Sequence, residues 1–340
     1  MTKVFIPGKL FLAGEYAITN PGNTAIIAAT ATGLTIEINS TDTISTSTSN
    51  TLSQQWQFQI NHIENQYVDD WRYVRAAIKL LKTYIDFNHA KISLNEVNIT
   101  ITSELNSKFG KIGLGSSAAV VVGIIEALDT HFQLNLPILT RFKLASIAHL
   151  HVQQNGSLGD IAAITYGGVI AYQSPDLSSF LQTKNDWLNP EIIDAKWPKL
   201  SVIPLPWPTH WQLLLGATHE SADTKSAIAN INLAKKFLSE SQNIVQNIIT
   251  TVLDNNYANF SKALRANQLL LNNNLPAGYL TPKLTLLLES LKDVAGKVSG
   301  AGFGDNGFAV FRDNADKIIT TWTTHHIDAQ VIMISPQKRG

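Results

Sequence analysis

The chain has 340 residues, 26 basic and 26 acidic side chains, and 44% hydrophobic against only 15% charged content. That length accommodates two packed domains, the apolar fraction excludes a disordered chain, and the lack of any long like-charge run leaves no electrostatic footprint for nucleic acid or an anionic membrane. That balance makes small molecules the expected partners, and the absence of cysteine excludes disulfides, thiol nucleophiles and Cys-based zinc sites.

The N-terminal apolar stretch is interrupted by Lys9 and Glu15, which makes a poor signal peptide. The longest apolar run, Ala118 to Ile125, stops at Glu126, well short of the ~20 residues that span a bilayer. A cytoplasmic location is the resulting expectation; oligomeric state is not legible.

In chain order, Lys3 to Ile18 reads as strand, turn, strand with a break at Pro7-Gly8, and Thr30 to Ile38 continues in β-branched alternation. Ser40 to Gln55, almost entirely Ser, Thr, Asn and Gln, reads as an exposed hairpin tip. Trp71 to Ile85 has helical apolar spacing and Val97 to Thr102 alternates as a strand. A glycine turn and a buried helix to about Leu128 follow, then a helix from about Ile138 to Gln154 and a strand from Gly168 to Gln173. Between Ser174 and Pro208 the density of proline, with Trp187, Trp197 and Trp207 among them, predicts an irregular connection with the tryptophans packed beneath it. The second half runs strand (Trp211 to Gly216), long amphipathic helices between Thr224 and Ala295, then strands at Lys297, Phe308 to Phe311 and Ala329 to Ile334. The order is α+β, with a first domain over 1–175, a connection over 176–208 and a second domain over 209–340.

The segment Lys111-Ile112-Gly113-Leu114-Gly115-Ser116-Ser117-Ala118 sets a glycine turn directly before a buried helix. First-turn N–H groups there have no intrahelical acceptor and, with the helix dipole, make an anion site. Ser116 or Ser117 can cap the helix, or offer a hydroxyl to a phosphate-bound Mg2+. Three further segments bear on chemistry. Pro7 to Ala17 puts Lys9 and Glu15 in an apolar, glycine-punctuated strand pair, where Lys9 is either an exposed turn lysine or a functional one. Asn155-Gly156-Ser157-Leu158-Gly159-Asp160 ends in an aspartate that either caps a short helix or, held by Lys9, accepts or orients a hydroxyl proton. Val298 to Asp305 is a second glycine-rich loop. The histidines lack metal-ligand spacing: His149 and His151 point to different helix faces, and surface or packing roles are expected. Neither a Gly-x-Ser-x-Gly elbow nor a P-loop Gly-Lys-Ser/Thr ending is present.

In order and wording these four segments resemble the GHMP kinases, and within that family the bacterial phosphomevalonate kinase group. The resemblance implies a two-domain fold, an N-terminal mixed α+β half and a ferredoxin-like C-terminal half, with the active site between them. It implies ATP and Mg2+ as cofactors, phosphomevalonate as the small-molecule substrate, and Asp160 and Lys9 as catalytic residues. ATP would be held by Lys111, Gly113, Leu114, Gly115, Ser116, Ser117 and Ala118, with Ser117 also on the metal. Substrate would meet Lys9, Tyr16, Lys111, Asn155, Gly156, Ser157, Ser299, Gly300 and Ala301. Two departures stand out. Arg141 to Asn155 holds no Asp or Glu, where mevalonate kinases carry a metal-binding carboxylate, and Phe303 stands where glycine is common. Mevalonate kinase, another small-molecule kinase of the family, and a non-catalytic ATP-binding regulator are the alternatives.

Overall fold

The computed structural model describes residues 1–64, 69–88, 92–107, 110–182, 188–220, 234–292 and 294–338. The first half is built on the long antiparallel pair β1 (Thr2–Ala13) and β2 (Thr24–Ser40), paired from Thr2 opposite Ile38 to Ala13 opposite Ile26 with two shifts of register on the way. The other edge of β2 is shared by two strands. Residues Leu34 to Ser40 pair with β5 (Val97–Ser103), and Thr24 to Ala28 pair with β8 (Val169–Gln173). Outside β5 lie β3 (Ser45–Ser49), which is parallel to it, and β4 (Trp56–Phe58). A short hairpin, β6 (Asn106–Ser107) and β7 (Gly110–Lys111), leads into the glycine turn.

Helices α1 (Arg72–Asn88), α2 (Ser116–Phe132) and α3 (Ile138–Gln153) pack on one another, with α2 against β1 and β2. Being apolar nearly all round, α2 belongs in the interior, and Gly123 lets it approach Ile6 and Ile36 more closely than any side chain would allow. The short α4 (Gly159–Tyr166) follows α3, and α5 (Glu191–Asp194) lies in the connection.

Two sequence readings change here. Ser45 and Ser47 are buried, and β3 pairs with β5, so Ser45 to Ser49 is a sheet strand, and only Asn50 to Gln55, which joins it to β4, is the mostly exposed hairpin tip. The hydroxyl of Ser45 donates to the carboxylate of Glu96, which removes the cost of burying a polar residue. The proline-rich connection likewise holds a strand, β9 (Ser201–Leu205), on β8. An edge strand tolerates Pro204 because one of its sides needs no N–H. Trp197 packs edge-on to Phe142 and Trp207 to Trp211, as expected; Trp187 lies outside the described residues.

The second half opens with β10 (Gln212–Ala217), followed by α6 (Lys235–Leu253), α7 (Tyr257–Asn274) and α8 (Pro282–Ser290), then β11 (Ala295–Ser299), β12 (Asn306–Phe311), α9 (Asp316–Thr324) and β13 (Asp328–Ile332). The antiparallel sheet order is β11-β12-β10-β13, which with this helix placement is the ferredoxin-like arrangement. The chain then returns to the first half: Thr30 bridges Ile334, and the Lys338 ammonium lies 2.6 Å from the Glu126 carboxylate. Among the described residues no helix is long and apolar enough to cross a membrane.

Candidate active site

The site forms where three glycine-containing turns converge on the middle of β1. Register in β1 shifts between Pro7 and Gly8, because proline has no N–H for the ladder. Beyond the shift, the N–H of Lys9 donates to the carbonyl of Leu114 at 2.9 Å, so the strand is tied to the glycine turn instead of to β2 alone. Gly8 permits this approach: a Cβ there would stand 3.0 Å from the Leu114 carbonyl oxygen.

In the glycine turn, Gly115 at φ +81° is the N-cap of α2 and no side chain caps the helix. Ser116 and Ser117 are therefore first-turn residues, not caps, which leaves first-turn N–H groups for another partner. Gly115 also leaves room for Lys9, whose Cγ would lie 2.8 Å from an added Cβ. Leu114 is buried, so its contribution to a phosphate site is through the main chain. The side chain of Lys111 lies outside what is described.

The turn after α3 places Leu158 at φ +65° as N-cap of α4, with Asp160 in the first helical turn. Asp160 is thus held near the positive helix end without capping it. Its carboxylate lies 3.6 Å from the Lys9 ammonium, with Lys9 largely buried and Asp160 about one-third exposed. This is the pairing the sequence suggested. Ser157 is close by, its carbonyl accepting from the Tyr172 hydroxyl at 2.7 Å. Asn155 and Gly156 are exposed and do not line the cavity described below.

The third turn, after β11, closes the site from the second half. The Ser299 hydroxyl donates to the Phe11 carbonyl at 2.7 Å and is buried, so it is spent on tethering β11 to β1. Tyr16, at φ +64°, donates to the Ala301 carbonyl; burial pushes its phenol well above the ordinary value, with the Glu15 and Asp305 charges adding to the shift. The Asn306 amide donates to the Ile112 carbonyl, and Asp305 and Asn306 fill the space that a Gly113 side chain would need. Phe303 takes φ +54°, a glycine-like conformation, and packs against Tyr279 at 6.1 Å. Burial, opposed by the Lys9 charge, pushes the Asp305 carboxyl up to about 6.

Several contributors were not legible as site residues. A buried ion pair, Lys297 to Glu15 at 2.5 Å, joins β11 to the turn after β1, both side chains being almost wholly inaccessible. The His149 imidazole lies 3.3 Å from the Ser117 hydroxyl and stacks on Tyr73. Burial lowers its proton affinity, against the pull of the Asp160 charge, so neutral imidazole faces the glycine turn. The expected packing role for this histidine thus comes with a polar contact at the site.

Two cavities flank the turns. One, of about 290 Å³, is lined by residues including Lys9, Tyr16, Ser157, Gly300, Ala301 and Asp305. The other, of about 310 Å³, lies between α1, β3 and the start of α2, with Ser49, Leu52, Trp71, Tyr73, Ser116 and Ser117 among its walls. The start of α2 therefore has a cavity of similar volume on either side of it, one reached past Ser116 and Ser117 and the other past Lys9.

This fold and site define a small-molecule kinase of the GHMP class. Residues 72–168 match the family model for the GHMP kinases N terminal domain and residues 245–328 that for the GHMP kinases C terminal domain. The chain belongs to the GHMP kinase family. It is 30% identical over 339 residues to the phosphomevalonate kinase of Streptomyces sp. (strain CL190), covering 92% of this chain and 91% of the relative. Among solved structures it superposes on the Lin0012 protein from Listeria innocua with a TM-score of 0.90 at 29% identity, covering 99% of each chain. It also superposes on Streptococcus pneumoniae phosphomevalonate kinase in complex with phosphomevalonate and AMPPNP, with a TM-score of 0.87 at 26% identity over 98% of this chain and 100% of that one.

Proposed function

We infer that the protein transfers the γ-phosphoryl group of ATP to the phosphate of 5-phosphomevalonate, giving 5-diphosphomevalonate and ADP. The observation that carries this reading is the 290 Å³ cavity, which brings Lys9, Tyr16, Ser157, Gly300 and Ala301 together beside the glycine turn in a chain similar throughout its length to phosphomevalonate kinases. A terminal oxygen of the acceptor phosphate attacks the γ-phosphorus, the bond to the β-phosphate oxygen breaks, and its electrons leave on ADP.

ATP phosphates bind the first-turn N–H groups of α2 and the main chain of Gly113 to Ala118, and the nucleoside enters the cavity beside Tyr73 and Trp71. Lys9 offsets the charge on the transferring group. The acceptor is a phosphate monoester with a second pKa near 6, so at neutral pH most of it has no proton to remove. Asp160 then acts chiefly by holding Lys9 and excluding misaligned acceptors.

Among the described residues no group of three His, Cys, Asp or Glu side chains could hold a metal. The Ser117 hydroxyl in the first turn of α2 is a hard oxygen donor of the kind Mg2+ takes, since that ion is commonly bound through one or two protein oxygens plus substrate phosphates and water. Ser117 is the residue of this chain that would hold it. Bound there, Mg2+ would neutralise charge on the polyphosphate.

The test is ADP release, measured with mevalonate, phosphomevalonate, diphosphomevalonate, homoserine and galactose as acceptors. The expected result is turnover with phosphomevalonate at a kcat/KM on the order of 10⁴ above that with mevalonate, because donors built for a phosphate are left unpaired by an analogue that lacks it. Comparable values for the two would refute the acceptor assignment and leave the family unchanged.

A further inference from the structure

Lys9 is the cation in the acceptor cavity, and it is flanked by two carboxylates. Asp160 approaches from α4 at 3.6 Å, while Asp305 enters from the turn between β11 and β12 and lines the same cavity. Asp305 has little freedom to withdraw. One of its oxygens sits against Gly113, the other lies 2.8 Å from where a Gly300 Cβ would stand, and the Ala301 N–H donates to the carboxylate.

The remaining charged and titratable groups around it offer no second free cation among the described side chains. Glu15 is neutralised by Lys297, Tyr16 is committed to the Ala301 carbonyl, and Glu220 packs on Gly304 beside it. One lysine therefore faces two carboxylates before any ligand arrives. The acceptor inferred above brings a phosphate and a carboxylate into about 290 Å³, and crowding like charges into that volume raises the proton affinity of a carboxyl that cannot withdraw.

We propose that Asp305 engages the acceptor as a neutral carboxylic acid, so that capture of each acceptor molecule takes up one proton from solvent, and that this acid is a hydrogen-bond donor to the anion. Asp305 is the member of the pair placed to do so. Asp160 is closer to solvent and ion-paired with Lys9, whereas Asp305 is wedged between two glycine turns and already has its proton affinity raised by burial. A protonated carboxyl adds a donor where a carboxylate has only acceptors. It would also tie the third turn to the acceptor directly. The inference rests on the acceptor reading above and adds to it a proton stoichiometry.

Isothermal titration of the full chain with phosphomevalonate, at pH 7.5 in Tris and in HEPES, measures proton uptake from the dependence of heat on buffer ionisation enthalpy. Wild type is expected to take up about one proton more per acceptor than Asp305→Asn, whose amide mimics the neutral acid. Between pH 7 and 8.5 its Kd should rise about tenfold per pH unit, relative to the variant, as the competent fraction falls. Asp305→Ser provides the same comparison if the Asn variant melts early. Binding with equal uptake in wild type and variant overturns this inference alone. Absence of phosphomevalonate binding to wild type, with turnover of another acceptor, overturns the acceptor reading and this inference with it.

Discussion

Gly115→Ala offers a direct test of how tightly the glycine turn and Lys9 are coupled. Two costs follow from the geometry. A non-glycine residue at φ +81° is left-handed, which costs ~1–2 kcal/mol. The added methyl would also stand 2.8 Å from Lys9 Cγ and 3.0 Å from Cε, tighter than carbon–carbon contact of about 3.5–4.0 Å allows. Lys9 cannot rotate freely away, because it is 8% exposed and its ammonium sits 5.3 Å from the Phe11 ring centre. A displacement of roughly 1 Å at the ammonium is therefore expected, enough to lower kcat by on the order of 10²-fold.

The two costs have different readouts. Circular dichroism melting should show a Tm lower by about 2–6 °C. Coupled ADP release should show the fall in kcat. Gly22→Ala is the control, since Gly22 sits at φ +91° against the Lys199 side chain, away from the site. It should lower Tm comparably and leave kcat within about twofold. If Gly115→Ala loses the expected stability but retains kcat, Lys9 is not aligned by this turn and the placement argued for it is wrong.

Asp160→Asn should reduce turnover by on the order of 10²–10⁴ with nucleotide affinity and Tm nearly unchanged; near-normal turnover would remove it from the mechanism. Lys297→Met strands the Glu15 carboxylate in the interior and should destabilise the protein by ~3–5 kcal/mol in urea melts, while Glu15→Gln combined with Lys297→Met should recover much of that loss. If the double variant is as unstable as the single one, the stranded charge is not the cause. Folding raises the proton affinity of Asp305 from 3.8 to about 6, so its stability contribution is full below about pH 4 and is lost as pH rises through about 6. Asp305→Asn should flatten that limb, worth at most about 3 kcal/mol, in Tm measured from pH 4 to 8. Ser117→Ala should change the Mg2+ dependence of turnover, and superimposable Mg2+ titrations would exclude the hydroxyl as a ligand.

Much of this architecture was written locally. The Gly113 to Ala118 turn, the Asn155 to Asp160 turn and the apolar periodicities of α1, α2 and α3 each depend on residues adjacent in the chain, and each formed where expected. What depended on distant partners was not visible. Ser45 and Ser47 read as surface residues because nothing nearby reveals that Glu96 accepts the Ser45 hydroxyl and that β5 pairs with their strand. Ser299 looked like a substrate contact, although a carbonyl 288 residues away uses its hydroxyl. Spacing to other histidines says nothing of His149's neighbour in space, Ser117 on a different helix. One long-range signal does stand in the sequence, Glu15: a carboxylate in an apolar strand turn needs a buried cation, and Lys297, flanked by Gly296 and Val298, is the matching anomaly in the second half.

That pair also constrains how the enzyme can move. The two halves are joined at the site by the Glu15–Lys297 ion pair, the Ser299 to Phe11 hydrogen bond, the Tyr16 to Ala301 hydrogen bond and the Asn306 amide on Ile112. Opening the site by swinging the halves apart would expose or strand a fully buried ammonium and several polar groups together, each loss costing ~1–3 kcal/mol or more. A hinge at that boundary is therefore expensive in both the empty and the occupied protein. The three turns stand preassembled around Lys9, so ordering them draws little on binding energy from ATP or acceptor, and more of it remains for interactions that strengthen only as the phosphoryl group transfers.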